Sequence, residues 1–287
     1  MQEQTFVNYK KNAYELGMER LRSMELVETP SILEEMADVA PDLAKFIISF
    51  VYGEIYERPH LTSRIRQLAT VAIFATLGNA RRQLKFHLTS ALNIGCSPAE
   101  LIEVMIQLAL YAGFPAALNS VFAAKEVFDE KQLDFISSCG SPLVCEDRYE
   151  SGLKALEHID GPDGQMIIKT LGSIAPDLAR FVVEFGFGDI YTRPILNFFE
   201  REIITVAALG TLGTAIPQLK LHIQGLLNVG GTPEQVIELA IHIASYAGFP
   251  AAINVVEIAS AVNFILSSSN TAQISSIRLD APLWYQV

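Results

Sequence analysis

Residues 83–119 read QLKFHLTSALNIGCSPAELIEVMIQLALYAGFPAALN, and residues 218–254 read QLKLHIQGLLNVGGTPEQVIELAIHIASYAGFPAAIN. His87 and His222 stand 135 residues apart, as do Gly113 and Gly248. The same offset joins the APDLA runs at 40–44 and 175–179 and the Arg-Pro pairs at 58–59 and 193–194, with no insertion or deletion between. Agreement this long marks a duplicated domain rather than a solenoid, whose repeats run about 20–50 residues. The chain therefore divides into a first domain at 1–137, a linker at 138–147 (SCGSPLVCED), a second domain at 148–266 and a tail at 267–287.

Around the repeated stretch the pattern is helical throughout. Residues 9–24 place Tyr14, Met18 and Leu21 at helical spacing, and Tyr149, Leu153 and Leu156 open the second copy in the same way. Pro41 and Pro176, each followed by Asp, suit a first helical turn, and the helices they begin run to the Arg-Pro pairs. Residues 62–78 and 197–213 are apolar almost all round over their C-terminal two-thirds, which predicts central buried helices ending at glycine. The histidine helices, 82–94 and 217–229, end at Gly95 and Gly230. Ser97-Pro-Ala-Glu100 and Thr232-Pro-Glu-Gln235 are capping boxes that start helices 98–111 and 233–246. Tyr-Ala-Gly-Phe-Pro breaks these before a last helix in each copy. No β pattern occurs, so the expected class is all-α.

Composition narrows the function. Half the residues are hydrophobic and 18% are charged, enough for a sizeable core in each copy. A net charge of −11 argues against a nucleic-acid partner, which requires clustered Lys and Arg. No apolar run reaches membrane-spanning length and the N-terminus lacks a signal-peptide core, so a cytoplasmic location is expected, with no membrane partner. Three cysteines, Cys96, Cys139 and Cys145, without a C-x-x-C, point neither to a disulfide framework nor to a metal site.

The motifs G-(E/D)-I-Y-x-R-P, R-x-x-x-T-V-A, Q-L-K-(F/L)-H, L-N-x-G and Y-A-G-F-P-A-A-(L/I)-N occur in both copies. In them the chain resembles the carboxymuconolactone decarboxylase family. The resemblance implies two tandem alkyl hydroperoxidase D-like helical domains forming a pseudo-dimer. It implies cofactor-independent decarboxylation of a carboxylated lactone in aromatic catabolism, with no metal. Single-domain members form rings of dimers, so a homo-oligomer of three tandem chains is expected. The alkyl hydroperoxidase D branch is a thiol peroxidase using C-x-x-C-x-x-x-H. Gln83 and Ala80, or Gln218 and Ala215, stand at those places here, and disulfide chemistry is excluded on mechanism.

Loss of CO₂ from a carbon conjugated to a lactone leaves an extended enolate. The protein must hold the carboxylate, stabilise charge on the lactone oxygen and return a proton. His87 and His222 are candidate proton donors, or core histidines bonded to backbone. His242 and Tyr246 form an i, i+4 pair, matched by Gln107 and Tyr111 in the first copy; the tyrosines are oxyanion donors or aromatic anchors. Glu202, replaced by Gln67 in copy one, is either a carboxylate of raised pKa, an ion-pair partner of Arg193 or Arg201, or a charge that favours the helix N-terminus. Arg58, Arg66, Arg193 and Arg201 are candidate substrate-carboxylate clamps, or salt bridges that fix helix ends. Pooled by copy, Arg193, Arg201, Glu202, His222, His242 and Tyr246 make the better-equipped set. The second copy is thus expected to form the working site. The same groups would equally serve an isomerase, cyclase or ring-opening enzyme on another enolisable substrate, and a non-catalytic oligomeric binding protein is the reading from a different class.

Overall fold

The computed structural model describes residues 2–133 and 147–269, with side chains over 13–133 and 147–262. Cys139, Cys145, the linker apart from Asp147, and the tail beyond Ser269 lie outside the described residues.

Copy one comprises α1 (Gln2–Glu25), α2 (Ser31–Glu35), α3 (Pro41–Phe46) running into a π-helix, π1 (Ile47–Ile55), then α4 (Ser63–Leu77), α5 (Arg81–Asn93), α6 (Pro98–Tyr111) and α7 (Phe114–Glu130). Copy two repeats the plan with α8 (Arg148–Ile174), α9 (Pro176–Phe181), π2 (Val182–Tyr191), α10 (Phe198–Leu212), α11 (Ile216–Asn228), α12 (Pro233–Ala247) and α13 (Phe249–Ser269). Helix α8 does the work of both α1 and α2. It breaks at Gly161 (φ 56°), the repeat partner of Leu26 (φ 58°), where the first copy turns out of α1.

The element ends follow from local chemistry. Gly78 and Gly213 close α4 and α10 in the left-handed conformation, at φ 68° and 67°, which glycine adopts without a Cβ penalty. Ser97 and Thr232 form reciprocal capping boxes with Glu100 and Gln235, each worth about 1 kcal/mol. Asn197 and Glu200 form a third, which the sequence reading did not anticipate. The stretches expected to be single helices from Pro41 and Pro176 instead widen into π-helices before the Arg-Pro pairs.

Helices α4 and α10 are buried along nearly their whole length and pack against each other. Around this pair the copies interlock: α12 packs on α4 and π1, while α6 packs on α10 and π2. One continuous apolar core, including Leu68, Val71, Met105, Ile204, Val206 and Leu239, draws on both copies. Outside it, α1 crosses π1 and α8 crosses π2, each pair with its own smaller cluster. Among the described residues no helix is long and apolar enough to cross a membrane.

Candidate active site

His222 projects from α11 into the space between α10 and π2. Its Nδ1–H donates to Glu202 Oε2 at 2.9 Å, and the second oxygen of Glu202 accepts from Tyr191 Oη at 2.8 Å. Tyr111, carried in from α6 of the first copy, lies 2.6 Å from Tyr191 Oη and 3.3 Å from His222 Nε2. One proton arrangement that satisfies the whole ring keeps Glu202 as a carboxylate. His222 Nε2–H donates to Tyr111, Tyr111 to Tyr191, Tyr191 to Glu202, and His222 Nδ1–H to the same carboxylate. It requires an imidazolium. Burial opposes that charge, but Glu202, by charge and hydrogen bond, raises the His222 pKa above its ordinary value.

Gln107 supports the ring from beneath. Its amide donates to Thr205 Oγ1 at 2.8 Å and to the Arg201 carbonyl at 2.7 Å, and Thr205 meets Tyr191 at 2.9 Å.

The His87 arrangement is the repeat image with different chemistry. His87 Nδ1–H donates to the Gln67 carbonyl oxygen at 3.2 Å, and Gln67 donates to Tyr56 Oη at 3.1 Å. Tyr56 meets Tyr246, which comes from α12 of the second copy, at 2.9 Å. His242, also from α12, donates through Nε2 to Thr70 at 2.7 Å, since the Thr70 hydroxyl proton is committed to the Arg66 carbonyl. No carboxylate stands where Glu202 does. Burial pushes the His87 pKa down to about 3, and burial first, then Arg66 and His87, holds His242 well below the ordinary value. Both rings are neutral near pH 7.

The pooling by copy is therefore corrected. His242 and Tyr246 join His87, and Tyr111 and Gln107 join His222, because α6 and α12 each reach across to the other copy. Each site is built from both halves of the chain.

The four arginines lie behind these networks. Glu238 accepts from Arg58 at 2.9 Å and from Arg66 at 2.6 Å; Glu103 accepts from Arg193 at 2.6 Å and from Arg201 at 3.1 Å. Each carboxylate belongs to the copy opposite its arginines, so the pairs bolt one copy to the other. Arg66 and Arg201 are wholly buried.

A cavity of about 430 Å³ opens beside His222, walled by Tyr111, Leu156, Asp160, Phe187, Tyr191 and Gln218 among others. Another of about 390 Å³ opens beside His87 and includes Tyr52, Phe74, Gln83 and Tyr246. None of the four arginines lines either one. Arg82 stands at the rim of the His87 cavity, paired at 2.5 Å with Glu35, while Pro217 occupies its place in the second copy.

Sequence reasoning passed over Tyr56 and Tyr191, although both sit in the quoted G-x-I-Y motif. It also passed over Thr70 and Thr205, and the carboxylates Glu103 and Glu238, whose position on apolar helix faces in both copies was the available signal. Asp160 lay in HIDGPDG, a stretch that looks like an ordinary turn.

Both copies resemble known proteins. Residues 41–126 and 176–261 each match the carboxymuconolactone decarboxylase family. The chain is 37% identical over 98 residues to 4-carboxymuconolactone decarboxylase of Acinetobacter baylyi, covering 34% of this chain and 72% of that protein. It is 24% identical over 153 residues to peroxisomal protein 2 of Schizosaccharomyces pombe, covering 52% of this chain and 70% of that one. A Burkholderia xenovorans protein described as a gamma-carboxymuconolactone decarboxylase subunit shares the fold. Its TM-score is 0.56 at 23% identity, over 89% of this chain and 98% of that one.

Proposed function

Because the chain belongs to the carboxymuconolactone decarboxylase family, we propose that its His222 cavity decarboxylates a carboxylated lactone of the 4-carboxymuconolactone type without a cofactor. The observation that carries this reading is the His222–Glu202 pair on the wall of an apolar cavity. The bond between ring carbon and carboxylate breaks, and its electron pair passes through the conjugated double bond to the lactone oxygen. The imidazolium of His222 then returns a proton to carbon, and Glu202 holds the ring's orientation and charge through Nδ1. Tyr111 supplies a hydroxyl at the boundary between His222 and the cavity.

The His87 site is the weaker acid–base centre in this proposal. A ring whose pKa lies at about 3 carries no proton to donate near neutrality. Arg58, Arg66, Arg193 and Arg201 act as structural ties, not carboxylate clamps. Their engagement with Glu238 and Glu103 supports a second reading, in which the same acid–base pair isomerises, cyclises or opens another enolisable substrate of lower charge.

We also infer assembly of three chains. Phe46, Phe114, Leu118, Phe181, Phe249 and Ile253 are exposed apolar side chains at repeat-related positions, a surface that suits self-association.

The test is CO₂ release from 4-carboxymuconolactone by wild type, His222→Ala and His87→Ala. Turnover lost about 10²-fold or more in His222→Ala and largely kept in His87→Ala is expected. Equal losses would sink the asymmetry. A folded wild type with no turnover would reject the decarboxylase reading in favour of another enolisable substrate.

A further inference from the structure

Asp160 stands at the end of the first segment of α8, immediately before the turn at Gly161. It is 3% exposed, lines the His222 cavity, and neither carboxyl oxygen has a hydrogen-bond partner. A buried carboxyl with no donor is costly, more so when ionised. The groups around it sharpen the problem. Glu202 faces it from α10, His222 from α11, Tyr111 from α6 and Tyr191 from π2, with Asp163 following on its own helix.

Gly225 borders both carboxyls. A Cβ at that position would lie 2.9 Å from Glu202 Oε2 and 3.2 Å from Asp160 Oδ1, so both oxygens border one methyl-sized gap. Two carboxyls so placed do not both ionise freely. Glu202 already accepts from His222 and Tyr191. Asp160 accepts from nothing and keeps the proton. Burial pushes its pKa up to about 7, with Glu202 and Asp163 adding to the rise against the lowering effect of His222.

The first copy lacks this arrangement. Its counterpart, Glu25, also lines its cavity but is one methylene longer; one oxygen accepts the Ser31 backbone N–H at 3.0 Å and the other has no partner. Ser90 stands where Gly225 leaves the gap.

We propose that Asp160 in its acid form is the hydrogen-bond donor that receives the carbonyl oxygen of the substrate and stabilises the enolate oxygen formed from it. A neutral carboxylic acid in an apolar cavity is suited to that task, because its donor strengthens its bond as negative charge develops on the acceptor. The ligand class is an uncharged carbonyl compound at the Asp160 end, a lactone or ketone, with its reacting carbon facing His222. This rests on the reading of the His222 cavity as an acid–base site, yet it can be tested without turnover.

The probe is 4-nitrophenol, whose phenolate imitates the enolate oxygen and whose ionisation is visible by absorbance. The wild type is expected to bind it as phenolate at pH 8 with uptake of about one proton per site. Affinity should fall about tenfold for each pH unit above about 7. Asp160→Asn, which keeps the shape and an N–H donor, should still bind phenolate but lose both the uptake and the pH dependence. In turnover of 4-carboxymuconolactone, Asp160→Asn should flatten the alkaline limb of kcat, and Asp160→Leu should lower kcat more than it raises KM. No binding by wild type, a probe bound as the neutral phenol, or proton uptake unchanged in Asp160→Asn would overturn the proposal. Asp160-dependent phenolate binding without decarboxylation would instead uphold it and reject the decarboxylase reading alone.

Discussion

At the scale of the residue, the two histidines show how one substitution divides two repeat-related sites. Glu202 gives His222 a carboxylate partner, whereas Gln67 gives His87 only a carbonyl oxygen. The consequence for stability is directional. Free of the fold, imidazole titrates near 6.5; His87 in the fold titrates at about 3. Its folded pKa is depressed, so this part of the stability is complete above about 6.5 and is lost as pH falls toward 3. Between pH 6.5 and 4.5 the loss from this one group amounts to about 2 kcal/mol. His87→Gln should show an acid slope shallower by about that amount in urea unfolding at the two pH values; an unchanged slope would mean that His87 protonates without cost. His242, lowered by burial and by Arg66, contributes a slope of the same sign that this variant leaves in place.

At the scale of the element, the decisive contacts are the crossings of α1 with π1 and of α8 with π2. A Cβ on Gly53 would lie 1.7 Å from the Ala13 carbonyl oxygen, and one on Gly188 would lie 2.4 Å from that of Arg148. Backbone meets backbone at both places, and neither can yield as a side-chain end would. Gly188→Ala should therefore destabilise by about 2 kcal/mol or more in denaturant unfolding, and it should displace Tyr191 at the far end of π2 and so impair His222. Stability within about 0.5 kcal/mol of wild type would show that the crossing has slack. The elements were largely legible in the sequence because proline, capping box and glycine act locally: Ser97, Thr232, Gly78 and Gly213 do what their types predict. The π-helices were not, since their widening leaves the apolar spacing of a helix intact. The site was half legible. Glu202 pairs with His222 rather than with Arg193 or Arg201, and the i, i+4 spacing of His242 and Tyr246 places them on one helix face without saying which cavity that face meets. That depends on how α12 lies across α4, a matter of tertiary packing.

At the scale of the whole molecule, four buried or half-buried arginines and two buried carboxylates hold the copies together. Glu103 and Glu238 each bridge two guanidinium groups from the opposite copy. Removing one such charge leaves Arg201 buried without its counter-ion, a loss of about 3–5 kcal/mol. Glu103→Gln should show that loss in urea unfolding, and its activity at the His222 cavity should fall although residue 103 belongs to the other copy. A variant as stable as wild type would mean that water reaches Arg201 and replaces the carboxylate.

The lending of α6 and α12 from each copy to the other carries a further consequence. In a dimer of identical single domains, whatever residue one protomer contributes to its neighbour it must also receive, so the two pockets can never differ. Joining the copies in one chain lifts that obligation. Glu202 can exist without a glutamate at 67, and His242 without a histidine at 107, because each half now gives one thing and gets another. The tether also guarantees that a giver is always present for each receiver, at fixed one-to-one proportion. A single polypeptide can thereby hold two unlike pockets, as a heterodimer of two gene products would.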